Sequence, residues 1–214
     1  MPGTAMKFAS FATIFVLAAS IATASSAHAE GRDQEGIDKA AVDAFDSRMF
    51  GATPTSKSYA CFVHKYDSAH LAQHPKQKVS TMKLLMTAEI PSDANTFNYS
   101  FRLGVKYRKR SNNLESFGDC GHMTAEDTGK EIRFGCGVDC DGGGLGVSLA
   151  KDDKSAIVGL ARVRVWKRNT APEETAEDLV SGDDDEKFRL ERVNLRECTD
   201  LASDRKELAE LRRK

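Results

Sequence analysis

The strongest constraint on the fold is a strict two-residue alternation of apolar and polar side chains between residues 97 and 108. The apolar members are Phe97, Tyr99, Phe101, Leu103, Val105 and Tyr107. Because successive side chains of a strand point to opposite faces, this pattern predicts a β-strand with one face in a core and the other in water. A helix would repeat its apolar residues every three or four positions instead.

Seven further segments have the same period, which predicts about eight strands joined mostly by short polar or glycine-bearing turns. They are residues 59–64, 81–90, 114–121, 130–139, 144–150, 156–166 and 186–197. Eight antiparallel strands with one polar face commonly close on themselves, because closure removes exposed sheet edges. We therefore predict an all-β fold, an up-and-down barrel or strongly curled sheet over residues 58–200, with one N-terminal helix and a short C-terminal helix.

Helical periodicity is confined to the two ends of the chain that follows residue 29. An apolar residue recurs every four positions at Ile37, Ala41, Phe45 and Met49. This stripe predicts a helix over residues 34–50, and residues 30–57 then form an N-terminal helix and linker. Residues 201–214 carry leucines among charges and are expected to form a short surface helix that frays. Residues 169–186 are rich in carboxylates and are expected to form a mobile acidic loop.

Residues 1–29 have the three parts of a secretory signal sequence. Lys7 supplies the basic start, residues 8–22 are apolar and uncharged, and Ala27-His28-Ala29 matches the small-x-small cleavage pattern. The apolar stretch is short for a membrane span of about 20 residues. We therefore expect cleavage after Ala29, a periplasmic or secreted protein, and no membrane span in the mature chain.

Charge gives little guidance about partners. Cleavage removes one of the 31 basic residues and none of the 32 acidic ones, which leaves 30 against 32. A balanced chain offers no overall electrostatic reason to expect nucleic acid or an anionic membrane as a partner. The sequence does not identify a partner, and the two candidates are a small apolar ligand and another envelope protein.

Export places all five cysteines where disulfides persist. Cys61 lies near the start of the first predicted strand, and Cys198 follows the end of the last. In an up-and-down barrel these strands are antiparallel neighbours, so the start of one meets the end of the other. We therefore predict a Cys61–Cys198 disulfide across the closure of the barrel.

The other three cysteines leave two pairings open. Cys120 faces Cys136 if the segment 114–138 folds as a hairpin that turns at residues 127–128, and Cys120–Cys140 is nearly as plausible by distance along the chain. We favour Cys120–Cys140 because Cys136 shares the apolar face of its strand with Phe134. Either choice leaves one thiol unpaired.

Aromatic side chains are expected to dominate the interior. The predicted inward set is Phe97, Tyr99, Phe101, Tyr107, Phe134 and Trp166. An eight-stranded barrel is wide enough to hold one small ligand or to be filled by its own side chains. Our leading hypothesis is a non-enzymatic β-barrel protein that binds a small apolar or amphipathic ligand, or acts as an envelope accessory protein.

A basic strand face supports an alternative hypothesis. Alternation places Lys106, Arg108 and Arg110 on the outer face of one strand, and Arg162 and Arg164 share a face of another. Together they could bind an anionic partner, which would make the protein a protein–protein or envelope-surface interaction module. The simpler interpretation is that the acidic segment 169–186 lies nearby and balances them.

Three histidines support a further alternative. His70 and His74 are four residues apart, which on a helical turn places both imidazoles on one face, and His64 is close in sequence. Such a set can bind copper, nickel or zinc. Three surface histidines in a polar loop that is cut short by Pro75 are the simpler interpretation, so a metal site is not our main prediction.

Catalytic and cofactor motifs are missing from the sequence. It contains no Gly-x-Ser-x-Gly, His-Glu-x-x-His or Gly-x-Gly-x-x-Gly pattern. The Ser-x-x-Lys match at Ser80–Lys83 falls inside a predicted strand, whereas penicillin-recognising enzymes carry it at a helix start. We therefore predict no catalytic residues and no cofactor.

The segment Cys136-Gly-Val-Asp-Cys140-Asp-Gly-Gly-Gly144, followed by Arg164-Val-Trp166 and Phe188-Arg-Leu190, resembles small exported bacterial proteins of unknown function. The resemblance covers residues 136–214 and implies no activity. In size and strand number the chain is also similar to lipocalin-type barrels. It lacks their Gly-x-Trp on the first strand, since its single tryptophan is Trp166, so the lipocalin likeness is an architectural analogy.

Overall fold

The eight alternating segments and one further segment form nine antiparallel strands in one curled sheet that closes into a ring in the computed structural model of the protein. The strands are β1 Ser58–Lys65, β2 Val79–Glu89, β3 Asn98–Tyr107, β4 Asn113–Thr124, β5 Ile132–Gly137, β6 Gly143–Leu149, β7 Ser155–Lys167, β8 Glu177–Val180 and β9 Lys187–Val193. The structure describes residues 37–125, 129–182, 184 and 186–213, so the predicted signal sequence and the turn at 127–128 lie outside the described residues.

In the part of the chain that the structure describes, four α-helices and one 3₁₀ helix accompany the sheet. They are α1 Lys39–Phe50, α2 Ser68–Gln73, α3 Pro172–Thr175, α4 Arg205–Arg213 and the 3₁₀ helix Leu195–Leu201. Thus α1 and α4 are the predicted N-terminal and C-terminal helices. Within the described residues, no helix combines the length and the apolar character needed to cross a membrane.

Hydrogen bonding between β1 and β9 closes the ring. Each of β1 to β6 pairs with the strand that follows it, β7 then pairs with β9, and β9 pairs with β1 at Cys61, Phe62 and Val63. This is the predicted up-and-down order with one strand added. The strand β7 is long enough to pair with two strands along its length. It pairs with β9 over Ser155–Gly159 and with β8 over Arg162–Val165.

The added strand corrects the prediction that residues 169–186 form a loop. This segment contains α3 and the strand β8. Leu179 of β8 is buried in the core, and its neighbours Glu177 and Asp178 lie beside Arg110 and Arg162. The sequence conceals this strand because Asp and Glu are usually depleted in strands.

Side chains fill the interior of the ring. The inward residues of the strands form one continuous buried cluster, to which α1 adds Phe45 and Met49. Its largest side chains include Phe62, Phe101, Phe134, Phe188, Met49, Met82, Leu84 and Met86. Burial of apolar surface contributes roughly 25 cal/mol per Å² removed from water. Of the two possibilities for the barrel interior, a packed core is the one the structure has.

Polar contacts fix α1 over one end of the ring. The helix begins after Asp38, whose side chain caps the first turn, and ends at Gly51 with a left-handed φ of 80°. The Arg192 guanidinium donates to the carbonyl oxygens of Arg48 and Met49 at the end of α1. Burial lowers the pKa of Arg192 from its usual value. A cation at a helix C-terminus is favourable because it meets the negative end of the helix dipole.

The C-terminal segment covers the outer face of β1 and β2, where the alternation predicts water. A second apolar cluster lies there, formed by Tyr59, Cys61, Val63, Leu85, Cys198, Leu201 and Leu211. Leu211 of α4 has no exposed surface. Hence β1 is buried on both faces, and α4 is a packed helix with one exposed face.

Two disulfides are present in the described chain. The predicted Cys61–Cys198 bond joins the closure of the ring to the 3₁₀ helix. The favoured Cys120–Cys140 pairing is wrong, because Cys120 is bonded to Cys136. These two residues are direct partners in the β4–β5 ladder, with Cα atoms 4.0 Å apart. Cys140 lies in the turn before β6 and is an exposed, free thiol.

The closing disulfide is expected to be a major source of stability. The double substitution Cys61→Ala and Cys198→Ala should lower the free energy of unfolding by about 4–5 kcal/mol, because the bond closes a long loop of the unfolded chain. The two cysteines are 137 residues apart. Denaturant unfolding of the oxidised proteins measures the difference.

Cys140→Ser is the matched control, because it removes an exposed thiol without removing a crosslink. It should change the free energy of unfolding by about 0.5 kcal/mol or less. A double alanine variant as stable as the parent would contradict the role given to the disulfide.

Candidate functional site

The predicted interior aromatic set is divided between the core and the end of the ring. Phe101, Tyr107 and Phe134 belong to the buried cluster, and Tyr99 is partly buried against it. Phe97 lies just before β3 and contacts Tyr99, with ring centroids 6.1 Å apart. These side chains fill the interior, so a candidate ligand site has to be sought on other surfaces of the barrel.

Trp166 corrects the predicted inward set. Its side chain is outside the core cluster and packs edge-on against Phe117, with ring centroids 4.9 Å apart. Strict alternation from Val158 and Leu160 would point residue 166 inward. The β6–β7 ladder instead slips by one residue at Ala161, so Val163 and Val165 face the core. A β-bulge of this kind reverses the face of every residue beyond it.

A buried polar cluster joins α1 to the sheet. The Asp46 carboxylate accepts a hydrogen bond from Tyr99 Oη at 2.5 Å and lies 2.8 Å from His122 Nε2. Its side chain is 7% exposed, and the ring of Phe134 packs against His122. Burial, and then the hydrogen bond to Asp46, raise the pKa of Tyr99 above its usual range. The cluster anchors the helix.

Other parts of the chain bind four of the five residues of the predicted basic face. Arg108 donates to backbone carbonyls of the loop at residues 71–77. Arg110 pairs with Glu177. Arg162 and Arg164 both lie beside Asp178 of β8. Lys106 is exposed. The simpler interpretation from the sequence, a balancing acidic segment, agrees with these contacts.

The three loop histidines are close together but do not converge on one point. His70 and His74 stack face to face with ring centroids 4.3 Å apart. His70 contacts Gln77, and His64 contacts Glu191. Stacked imidazoles direct their nitrogens sideways, away from a shared centre. Within the described part of the chain, no group of three or more histidine, cysteine or acidic side chains is arranged to hold a metal ion.

Four glycines lie side by side across the outer face of the sheet. They are direct partners in successive strands: Gly121 of β4, Gly135 of β5, Gly146 of β6 and Gly159 of β7. We call this set the glycine row. Adjacent strands are about 4.8 Å apart, so the row is roughly 14 Å long. Gly137 and Gly144, also direct partners, extend the bare surface by one further pair.

The part of this surface on β5, β6 and β7 is the floor of an open trough. Its volume is about 1040 Å³, the upper end of the range for small-molecule sites. Its sides are formed by Met123, Arg133, Ser148, Ile157, Glu186 and Lys187. Apolar and charged groups therefore surround a floor that consists largely of backbone.

Three glycines of the trough are not required by the fold. A Cβ atom added at Gly137 or Gly159 would meet nothing within 4 Å, and one at Gly146 would make ordinary contacts at 4.0 Å. All three have backbone angles open to other residues. Glycine inside a strand costs about 0.5–1 kcal/mol relative to alanine, and it often marks close approach of another molecule. At Gly144, in contrast, a Cβ would lie 2.4 Å from the Cys136 carbonyl oxygen.

The charges at the trough are mixed, with an excess of cations. Arg133 and Lys187 face one carboxylate, Glu186. Arg133 Nε is buried and has no hydrogen-bond partner among the described residues. The Arg133 guanidinium lines the trough and can pair with an anionic group bound there. The trough is therefore suited to a flat apolar group that carries an anionic substituent.

Sequence reasoning missed this site and the Asp46 cluster. The glycine row depends on register across four strands, and Asp46 meets partners 53 and 76 residues away. One local signal was present, namely glycine at alternate positions of β5 and β6. The chain matches no protein-family model, and comparisons with curated proteins and with solved structures give no significant match.

Two tyrosines are expected to resist ionisation. Burial raises the pKa of both Tyr59 and Tyr99 above the usual range, so their neutral forms are favoured in the folded state. The stability they contribute is present below the ordinary tyrosine pKa of about 10 and is lost as the pH rises above it. Alkaline titration followed by phenolate absorbance should place both ionisations in the unfolding step. Tyr99→Phe should reduce the phenolate absorbance change at the unfolding pH and leave the absorbance change at lower pH intact.

Alanine substitutions at Gly159 and at Gly144 should show which of these two glycines the fold itself requires. Gly159→Ala is expected to leave stability unchanged or raise it by about 0.4–1 kcal/mol, because the site has room for a Cβ. Gly144→Ala is expected to lower it by more than about 1 kcal/mol, because the new atom would overlap the Cys136 carbonyl. Denaturant unfolding of both variants is the measurement, and a destabilised Gly159→Ala protein would show that this glycine serves the fold.

Proposed function

We propose that this protein is a non-enzymatic exported binding protein that holds a small amphipathic ligand on the outside of its barrel. The ligand lies in the trough on β5, β6 and β7, with its flat apolar part on the glycine floor and its anionic group beside Arg133. The observation that carries this proposal is the set of strand glycines at the trough floor that the fold does not need.

Two other surfaces support the proposal less well. The interior is occupied by packed side chains, so a ligand there would have to displace Phe101 or Phe134. The basic strand face is engaged with Glu177 and Asp178. The trough is already open, and no atom lies within 4 Å of a Cβ built at Gly137 or Gly159, whereas Met123 lies over Gly135. Preformed sites of this kind avoid the cost of ordering flexible groups on binding.

The chemistry of the trough favours an anionic amphiphile over a sugar or a cation. Backbone Cα–H groups present a flat surface suited to an aromatic ring or a fused ring system. Met123 and Ile157 supply apolar contacts at the sides. Arg133 can donate to a carboxylate, sulfate or phosphate, and Lys187 adds a second positive charge.

Filling the floor should abolish binding of a matched probe. Anilinonaphthalene sulfonate combines a flat apolar ring system with one anionic group, and its fluorescence rises on binding. The double variant Gly146→Val and Gly159→Val should bind it about tenfold more weakly or worse, a loss of about 1.4 kcal/mol or more. Valine suits a strand, so the variant should remain folded.

Gly121→Val is the matched control, since Gly121 belongs to the glycine row but lies outside the trough lining. It should bind the probe like the parent. Arg133→Gln should weaken binding of the anionic probe and leave binding of neutral phenylnaphthylamine unchanged. Equal probe binding by the parent and the double valine variant would refute the trough as the site. Native mass spectrometry of protein from its own periplasm then identifies the natural ligand.

A further inference from the structure

Helix α4 separates its charges by sign. Its two acidic residues face the barrel, where Glu207 is buried against Arg102 and Glu210 accepts a hydrogen bond from Tyr59. Its four described cations, Arg205, Lys206, Arg212 and Arg213, are all exposed. At 3.6 residues per turn they share one arc of the helix, opposite buried Leu211 and Glu207, with Ala209 between them.

The adjoining 3₁₀ helix adds a fifth cation. Arg196 is exposed and donates to the carbonyl oxygen of Arg212, which places its charge at the end of α4. None of these five cations forms an ion pair with another described residue, unlike Arg110, Arg162 and Arg164 on the sheet. The acidic residues close to these cations in sequence are Asp204, which caps the first turn of α4, exposed Glu197, and Glu210, which lies four positions after Lys206. Five exposed cations that form no ion pair with another described residue therefore lie together at α4.

We infer that the exposed face of α4 docks the protein onto an anionic phospholipid surface. The face is one side of a nine-residue helix about 14 Å long with small Ala209 at its centre, so a flat partner can approach it closely. Four of the five cations are arginine, whose planar fork suits phosphate oxygens. The inference is independent of the trough, which lies on other strands.

Two features favour a lipid surface over other polyanions. The face carries no aromatic side chain, whereas proteins that bind single-stranded nucleic acid usually stack bases on aromatic rings. It also lacks the exposed apolar anchor that is typical of protein–protein hot spots, because Leu211 is buried and Leu208 is partly covered. Attachment is therefore electrostatic and peripheral, and it does not require insertion into the bilayer.

Vesicle sedimentation tests the inference. The purified protein should sediment with mixed phosphatidylcholine and phosphatidylglycerol vesicles at about 0.1 M salt, where the Debye length is about 10 Å. It should not sediment with pure phosphatidylcholine vesicles. Binding should disappear at about 1 M salt, where the Debye length falls to about 3 Å. Retention at high salt would overturn the electrostatic mechanism.

The triple variant Arg205→Gln, Lys206→Gln and Arg212→Gln should weaken vesicle binding by roughly a hundredfold, since each cation near an anionic bilayer contributes about fivefold. Glutamine is a good helix former, so α4 should be retained, and circular dichroism checks this. The variant Arg205→Lys and Arg212→Lys keeps the charge and should bind vesicles within a few-fold of the parent.

Lys109→Gln, Lys130→Gln and Lys151→Gln form the matched control, because they remove three exposed cations outside α4 and change the net charge equally. This variant should bind vesicles like the parent. Equal losses in both triple variants would mean that net charge alone governs binding and would overturn the assignment of α4. Failure of the parent to bind anionic vesicles, with α4-dependent capture by immobilised heparin, would overturn the lipid partner in favour of another polyanion.

Discussion

The structure depends on the joint between its first and last strands. β1 and β9 face each other over three residue pairs, and the Cys61–Cys198 bond lies beside this short ladder. Closure gives the strands of the ring hydrogen-bonded neighbours on both sides, so their inward side chains meet from every direction and fill the interior. Without the joint, β1 and β9 would both present unpaired edges, and Phe62 beneath them would lose its cover.

Local periodicity made most of this architecture predictable. Alternation located eight of the nine strands, and the placement of Cys61 and Cys198 at the two ends of the sheet indicated how it closes. Two of the failures share one cause, because both depend on register between strands. The slip at Ala161 reverses Trp166, and the direct opposition of Cys120 and Cys136 decides their pairing. β8 was hidden because its carboxylates are paired across the sheet.

The candidate site was less predictable than the fold. A glycine in a strand suggests a bulge or a close approach, but the sequence does not reveal that four of them align across four strands. The same limit applies to α4, since its charge segregation has meaning only once Leu211 is known to face the sheet. The two proposed surfaces are unusual in different ways. The trough floor lacks side chains at positions where a strand usually carries them. The exposed face of α4 carries cations that are not paired with described acidic residues.

The burial of the closing disulfide has a consequence for the order of assembly. Cys61 and Cys198 are 1% and 0% exposed, and Leu201 and Leu211 cover them. An oxidant or an isomerase must reach the two sulfurs before α4 settles over them. The C-terminal helix therefore docks after this bond has formed, and a reductant can reach the two sulfurs of the folded protein only when that helix moves away.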